Sequence, residues 1–172
     1  MAKIKIFKVG RFKTNCYLVS NDEENRFFLV DPGGKIKNFD VSSYKIDYIL
    51  LTHGHFDHIS NVAEYKELTG AKVVISKAEE DFINDGSLNL SSRFMKAHKL
   101  KSFEADILCS EGDEIPFAGG AIKVLDTPGH TRKAEFATFL RIIFFQATLF
   151  SKGLTARRAS RRAVKRSLKI LY

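Results

Sequence analysis

Four of the five histidines of this chain fall in two short segments, Thr52-His53-Gly54-His55-Phe56-Asp57-His58 and Thr127-Pro128-Gly129-His130. Imidazole and carboxylate clustered this densely are the donor set of a zinc, iron or manganese site, with zinc ligands at about 2.0 to 2.2 Å. At a strand end side chains alternate with period two, so His53 and His55 point the same way and can share one ion. Gly54 between them adds no bulk. Phe56 then turns the chain so that Asp57 and His58 approach from another direction, where they can take a second ion or hold a metal-bound water. A metal there would lower the pKa of bound water to about 7, giving a hydroxide nucleophile at neutral pH, and Asp57 is the residue to orient it. His130, after a Pro-Gly turn on a separate strand, completes a three-histidine site once the fold brings it near. A lone histidine is ordinarily a loop cap or a solvated side chain; four of five in two compact loops do not fit that role. The set is nonetheless incomplete for two metals, because no histidine follows His130 and no acidic residue follows Glu135.

The elements that must position these residues can be read from the flanking pattern. Lys3 to Val9, Asn15 to Ser20 and Arg26 to Val30 alternate or run apolar like strands, and the third leads into the turn Asp31-Pro32-Gly33-Gly34. The Phe27-Phe28-Leu29 run reads as core strand rather than a stacking platform, and Tyr44 to Tyr48 likewise. Lys45 to Leu51 has the length of a buried strand and delivers the chain into the histidine cluster. Asn61 to Thr69 has helical spacing and is stopped by Gly70, after which Ala71 to Ser76 is again a strand. Lys77 to Asp85 reads as a short helix ended near Gly86, and Ser87 to Phe103 as loop plus helix. Ile107 to Cys109, Asp113 to Phe117 and Ala121 to Asp126 read as strands, the last two joined at Gly119-Gly120. Strands alternating with helices predict an α/β fold.

Bulk properties narrow the class. The 172 residues, 44% of them hydrophobic, suffice for one domain with a substantial core. The start, Met1-Ala2-Lys3-Ile4-Lys5-Ile6, lacks the apolar run of a signal peptide, and no stretch reaches the roughly eighteen apolar residues of a membrane span. The expectation is a cytoplasmic protein with no membrane partner. Cys16 and Cys109 are too few and too far apart for a disulfide framework or a thiolate metal site, and read as small buried hydrophobes. His98 has no ligand-like neighbour and reads as exposed. The net charge of +8 is concentrated: nine Lys and Arg and no Asp or Glu lie in residues 136–172, which leaves the preceding body nearly neutral. All three prolines and ten of the eleven glycines precede His130. Two kinds of sequence meet near Thr131.

The segment Thr52 to His58 resembles the HxHxDH signature of the metallo-β-lactamase superfamily. Thr14-Asn15-Cys16-Tyr17-Leu18-Val19, Val30-Asp31-Pro32-Gly33 and Thr127-Pro128-Gly129-His130-Thr131 follow in the family's order. They are most similar to its small glyoxalase II-like branch, the hydroxyacylglutathione hydrolase type, over about residues 3–131. The resemblance implies an αββα four-layer sandwich with two mixed β-sheets, the metals lying at one edge. It also implies that His53, His55 and His130 bind the first metal, that Asp57 and His58 bind the second, and that Asp31 supports the ligand loop. The implied cofactor is up to two Zn2+, with Fe or Mn as alternatives, and the implied reaction is attack of a metal-bound hydroxide on a small-molecule thioester or similar ester.

The chain departs from this family after Thr131. Relatives of this type continue with a Gly-rich strand, then a G-D-T segment whose Asp bridges the metals, and later a final His ligand; none is present here. Taking each codon's third base with the first two of the next, the codons of Arg132 to Phe139 permit K-G-G-I-C-Y-F. Those of Phe145 to Leu149 (TTT CAG GCG ACA CTN) permit S-G-D-T. The first base of each shifted codon is free within synonymous choices, but the second must be right every time. Residues 1–131 therefore read as a metallo-β-lactamase-like metal-binding domain whose second half is incomplete. Residues 132–172 read as an aberrant basic tail, an out-of-frame continuation after an insertion or deletion near the Thr131 codon. The Arg-rich stretch Ala156 to Arg166 could grip phosphates, but it lacks interleaved reading residues, and a shifted frame gives such a composition without selection for a nucleic-acid partner. The apolar run Phe139 to Phe150 can add a strand to a sheet, at a risk of aggregation. The expectation is a metal-dependent hydrolase, impaired in this chain; the alternative is a non-catalytic metal-binding remnant or a basic nucleic-acid-binding protein.

Overall fold

The structure, a computed structural model, describes residues 2–21, 25–95, 100–127, 130–131 and 139–145. Strands β1 (Ala2–Val9), β2 (Thr14–Asn21) and β3 (Arg26–Val30) pair antiparallel. From β3 onward the pairing is parallel, through β4 (Ile46–Leu50), β5 (Lys72–Ser76) and β6 (Ile107–Cys109). The result is one mixed six-stranded sheet in the order β1-β2-β3-β4-β5-β6. Strands β7 (Glu114–Phe117), β8 (Gly120–Thr127) and β9 (Phe139–Phe145) form a second sheet. Its three described strands are antiparallel, so the mixed character expected of both sheets is visible in the first alone.

Strands buried on both faces need near-continuous apolar runs, and β3, β4 and β5 have them. Their side chains divide by parity between two cores. Phe28, Val30, Leu50 and Val74 face the second sheet and pack with Ile115, Phe117, Ile122 and Val124. Leu29, Ile49, Val73 and Ile75 face the other way, against Ile59 of α1 (Phe56–Ile59) and Val62, Ala63 and Tyr65 of α2 (Val62–Thr69). Each such fully buried aliphatic side chain contributes about 1.5 to 3 kcal/mol of transfer free energy, so β3, β4 and β5 are the rigid base for what hangs from their ends. Helix, sheet and sheet make three layers; the fourth layer that the resemblance implies has no counterpart among the described residues. Cys16 and Cys109 are both buried, as their apolar settings suggested.

Several boundaries moved. Helix α2 ends where expected: Gly70 adopts a left-handed φ of 69° and donates its N–H to the Lys66 carbonyl. The short helix expected over Lys77 to Asp85 forms as a 3-10 turn that ends earlier, Lys77–Phe82, closed by an i to i+3 bond from Ile83 N–H to the Glu80 carbonyl. The tighter winding carries Glu79 and Phe82 into the interior. The β7–β8 hairpin turns on Ala118 (φ 47°) and Gly119 (φ 71°), one residue earlier than the glycine pair suggested. Among the described residues between Ser87 and Phe103 there is one short helix, α3 (Ser91–Phe94), and His98 lies outside the described residues. The Phe139–Phe145 segment does add a strand, pairing with β8 from Thr127↔Phe139 to Ala121↔Phe145. The rest of the proposed aberrant tail lies outside the described residues. No helix among the described residues is long and apolar enough to cross a membrane.

Candidate metal centre

Strand β4 ends at Leu50, and Leu51 still bonds β5 through its N–H to the Val74 carbonyl. The next residues form an extended loop held by Asp31. Asp31 Oδ1 accepts from Thr52 N–H at 2.8 Å and Oδ2 accepts from the Thr52 hydroxyl at 2.6 Å. Asp31 itself sits at φ 50° just past β3, with its own N–H bonded to the Leu50 carbonyl, so the turn at the end of one strand grips the start of the loop leaving its neighbour. Asp31, to which the resemblance implied support of the ligand loop, makes these contacts with its first residue, Thr52.

The Thr52 hydroxyl also decides the state of His53. Its one hydrogen goes to Asp31, so toward His53 Nδ1, 3.0 Å away, it can only accept. The proton of His53 therefore sits on Nδ1, and Nε2 carries the lone pair a metal needs. Burial, then the neighbouring His58, His55 and His130, push the His53 pKa down to about 2, so the ring is neutral at physiological pH. His55 is lowered for the same reasons, burial first and then His130. Neutral imidazoles, each carrying a ring-nitrogen lone pair, are metal ligands rather than solvated cations.

The three donors converge. Ligand nitrogens of His53, His55 and His130 all lie within 4.8 Å of one another. Ring centroids are 4.7 Å apart for His53–His55, 4.8 Å for His53–His130 and 4.9 Å for His55–His130. Donors on a tetrahedral zinc at about 2.0 to 2.1 Å stand roughly 3.3 Å from one another, so each pair need close by no more than about 1.5 Å. The residues present fit a metal ion. His53 is buried, His55 half-buried and His130 exposed, which leaves one side of the cluster open for a fourth ligand.

Asp57 and His58 stand beside this cluster on α1, which begins at Phe56 as the sequence required of a change in direction. The His58 ring centroid is 4.0 Å from that of His53, and His58 Nε2 is 3.6 Å from Asp57 Oδ2. On its other side His58 Nδ1 lies 3.0 Å from Asp31 Oδ2. Burial acts to lower the His58 pKa, but the hydrogen bond and charge of Asp31, helped by Asp57, outweigh it and hold the ring above its usual value. Asp57 Oδ2 accepts from the Thr14 hydroxyl at 2.8 Å. Asp31 thus serves both halves of the cluster, through Thr52 to His53 and directly to His58.

Two glycines beside the cluster are required by contact. A Cβ on Gly33 would lie 1.5 Å from the Asp57 carbonyl oxygen, and one on Gly54 would lie 2.2 Å from Phe82 Cβ. The sequence pattern valued Gly54 only for its small size between two ligands; the structure names Phe82 as what it makes room for. Thr14, Thr52, Glu79 and Asn89 carried no expected role. Thr14 and Thr52 stand inside family-like motifs, so polar residues flanking ligands were an available signal. Glu79 and Asn89 offered none, since a Glu in an acidic stretch and an Asn in a polar one read as solvated. Asn89 is buried, accepting at its carbonyl from Phe56 N–H at 2.9 Å and donating its side-chain amide to the Phe82 carbonyl at 2.8 Å.

A sandwich of this kind, with a histidine and aspartate cluster at the strand ends of its first sheet, defines a class of metal-binding α/β proteins. Residues 9–132 match the model of the metallo-beta-lactamase superfamily, and the chain belongs to that family. It is 32% identical over 130 residues to an uncharacterized protein of Aquifex aeolicus, covering 74% of this chain and 61% of that protein. It is 29% identical over 133 residues to the hydroxyacylglutathione hydrolase GloC of Haemophilus influenzae, covering 74% of this chain and 62% of that one. The chain thus spans somewhat over three-fifths of the length of these curated relatives. Among solved structures, the B3 metallo-beta-lactamase BLEG-1 superposes with a TM-score of 0.69 at 26% identity, covering 83% of this chain and 67% of that one.

Proposed function

We propose that residues 1–131 are the metal-binding part of a metal-dependent hydrolase that cleaves a thioester or similar ester bond, and that zinc is its metal. The observation that carries this is the convergence of three histidine donors, His53, His55 and His130, with Asp57 and His58 beside them on the same edge. His53, His55 and His130 would hold the first ion, and Asp57 and His58 would contribute to a second. Bound zinc would supply a nucleophile at neutral pH by acidifying water to a pKa of about 7. Asp57, whose Oδ2 accepts from the Thr14 hydroxyl, would orient that water.

A cavity of about 550 Å³ opens beside Asp57 and suits a small-molecule substrate. Its lining joins an aromatic wall of Phe12, Phe56 and Phe94 to the cations Arg11 and Arg93. The Phe12 ring meets Phe56 edge-on at 5.4 Å and Phe94 at 5.8 Å. This combination favours an acyl compound with an apolar portion and a negative charge, which a glutathione thioester carries. The similarity to a hydroxyacylglutathione hydrolase supports the thioester reading, and the similarity to a B3 metallo-beta-lactamase keeps a lactam amide as the competing bond.

The chain's own activity is a separate matter. Its 172 residues hold no acidic residue after Glu135 and no histidine after His130, so neither a bridging carboxylate nor a final histidine is among them. This favours, as the second reading, a protein that binds one ion without efficient turnover, residues 132–172 being an out-of-frame continuation. Metal analysis of the purified full chain, with turnover of an acylglutathione thioester and of a β-lactam, tests these readings together. One ion with weak thioesterase activity is expected; two ions with full turnover would overturn the impaired reading, and no bound zinc would overturn the metal site. The nucleotide sequence across the Thr131 codon decides the frame: unrelated codons in an unbroken frame would refute the shift.

A further inference from the structure

The two loops that carry the three-histidine cluster are tied together by one buried carboxylate. Glu79 is 2% exposed. Its Oε2 accepts from the backbone N–H of Gly54, between His53 and His55, at 3.1 Å, and its Oε1 accepts from the hydroxyl of Thr131, the residue after His130, at 2.5 Å. These segments are 25 and 52 residues away from Glu79 in the chain. One side chain thus meets every stretch that supplies a donor to the cluster, without itself being one of the three.

Its placement follows from the sheet. Strand β5 runs parallel to β4 with Leu50 opposite Val74, so both strands end on the same edge. Ser76, at the end of β5, caps the 3-10 turn through its hydroxyl and Ala78 N–H, and the turn sets Glu79 and Phe82 directly behind Gly54. Phe82 in turn stands 6.3 Å from the His55 ring. Burying a carboxylate costs several kcal/mol unless its oxygens are satisfied, and an apolar side chain would fill the same space without that cost. A carboxylate is warranted there by what its two oxygens hold.

We propose that Glu79 is a positioning residue that clamps the His130 loop to the His53–His55 loop and so sets the distance between the third metal donor and the first two. The proposal rests on the metal reading of the cluster. It assigns the closure of the site to a residue that touches neither ion nor substrate. Because Thr131 Oγ1 can accept as well as donate, a glutamine at position 79 can keep both links, its carbonyl oxygen toward Gly54 and its amide toward Thr131. An alanine can keep neither. Thr131→Val severs only the His130 side and leaves the Gly54 bond in place.

The experiment compares the full-length wild type with E79Q, E79A, T131V and E79A/T131V by zinc titration against a competing chelator. Each protein is also followed metal-free by amide hydrogen exchange at Gly54. Loss of a supporting partner of this kind costs about 10- to 100-fold in metal affinity. T131V and E79A should each lose affinity in that range, the double variant should be no weaker than E79A, and E79Q should stay within about threefold of wild type. In the metal-free proteins, Gly54 exchange should accelerate in E79A and not in T131V. Wild-type zinc affinity in T131V would overturn the clamp, as would additive losses in the double variant. Unchanged Gly54 exchange in E79A would overturn it even were the wild type to bind no zinc, a result that would sink the metal reading instead.

Discussion

Replacing Asp31 by Asn tests how the ligand loop is held. The substitution leaves shape and backbone nearly untouched, since Asn tolerates the positive φ of this position (50°) as Asp does, and the bond from its own N–H to the Leu50 carbonyl remains. Oδ1 can go on accepting from Thr52 N–H. What changes is Oδ2, which accepts from the Thr52 hydroxyl at 2.6 Å and faces His58 Nδ1 at 3.0 Å. An amide nitrogen there presents hydrogens to both. The Thr52 hydroxyl must give up its donation, and His58 must move its proton to Nε2, the nitrogen that otherwise faces Asp57 and the second metal position. Hydrogen bonds to a charged group contribute about 1.5 to 3 kcal/mol each. With partial rearrangement of Thr52, the metal-free protein should lose about 2 to 4 kcal/mol.

Urea denaturation of the metal-free D31N protein measures that loss, and chelator competition should show zinc affinity down by about 10- to 100-fold. Asp31→Ala adds the left-handed backbone penalty of about 1 to 2 kcal/mol, so it should be less stable than D31N by roughly that amount. D31N within about 0.5 kcal/mol of wild type, with unchanged zinc affinity, would refute the view that this carboxylate orients His53 and His58.

Three further outcomes follow from the same contacts. Gly54→Ala drives a Cβ to 2.2 Å from Phe82 Cβ, and overpacking of this kind costs about 1 to 3 kcal/mol; denaturation midpoints should fall accordingly, with zinc affinity falling alongside. The metal-free protein should lose stability as pH drops from about 6.5 toward 5. His53 has its folded pKa depressed to about 2 and His55 is lowered as well, so the unfolded chain takes up these protons first, at no more than about 1.4 kcal/mol per pH unit for each group. His58, raised, acts in the opposite sense and softens the slope, so denaturation series at pH 7, 6 and 5 that show constant or rising stability would contradict the balance drawn here. Cys16 is buried and its thiol is pushed upward, by burial first and then by Asp31, and Cys109 is buried too; a thiol reagent should label both only after denaturation, and rapid labelling of the native chain would show the core to be open.

Much of this was legible in the residues, and the exceptions share a cause. Strands β3, β4 and β5 declare themselves because burial on two faces demands unbroken apolar runs, and the ligand loop because imidazoles at alternate positions of a strand end suit a metal ion and little else. Gly70 as a helix stop is likewise a local requirement. The short helix read at Lys77 forms, but its 3-10 winding and earlier end at Phe82 were not legible, because they are fixed by Glu79 and Phe82, whose partners Gly54 and Thr131 are far away in the chain. Glu79 carried no expected role for the same reason, since charge in a sequence signals exposure until a distant donor is known. In the second sheet β7 and β8 were legible with the hairpin between them, and the apolar run from Phe139, read as able to add a strand, does so as β9 by pairing with β8.

The supports of the cluster also bear on which metal should be lost first. The contacts described above that support His53, His55 and His130, through Thr52, Asp31, Glu79 and Thr131, lie within residues 31–131, the part of the chain that keeps the family's sequence. Among the described residues the second position has Asp57 and His58, each already engaged, by Thr14 and by Asp31. Without a third donor these two must leave existing partners to bind an ion, so the second ion should bind far more weakly than the first. A chain rebuilt with K-G-G-I-C-Y-F after Thr131 and S-G-D-T in place of Gln146 to Leu149 would recover a carboxylate for that position. Such a chain should hold closer to two zinc ions, and the unmodified one a single ion, when both are dialysed against the same weak chelator. Equal stoichiometry in the two would show that the part after Thr131 has no share in the site, and would remove the physical reason for reading the tail as a displaced frame.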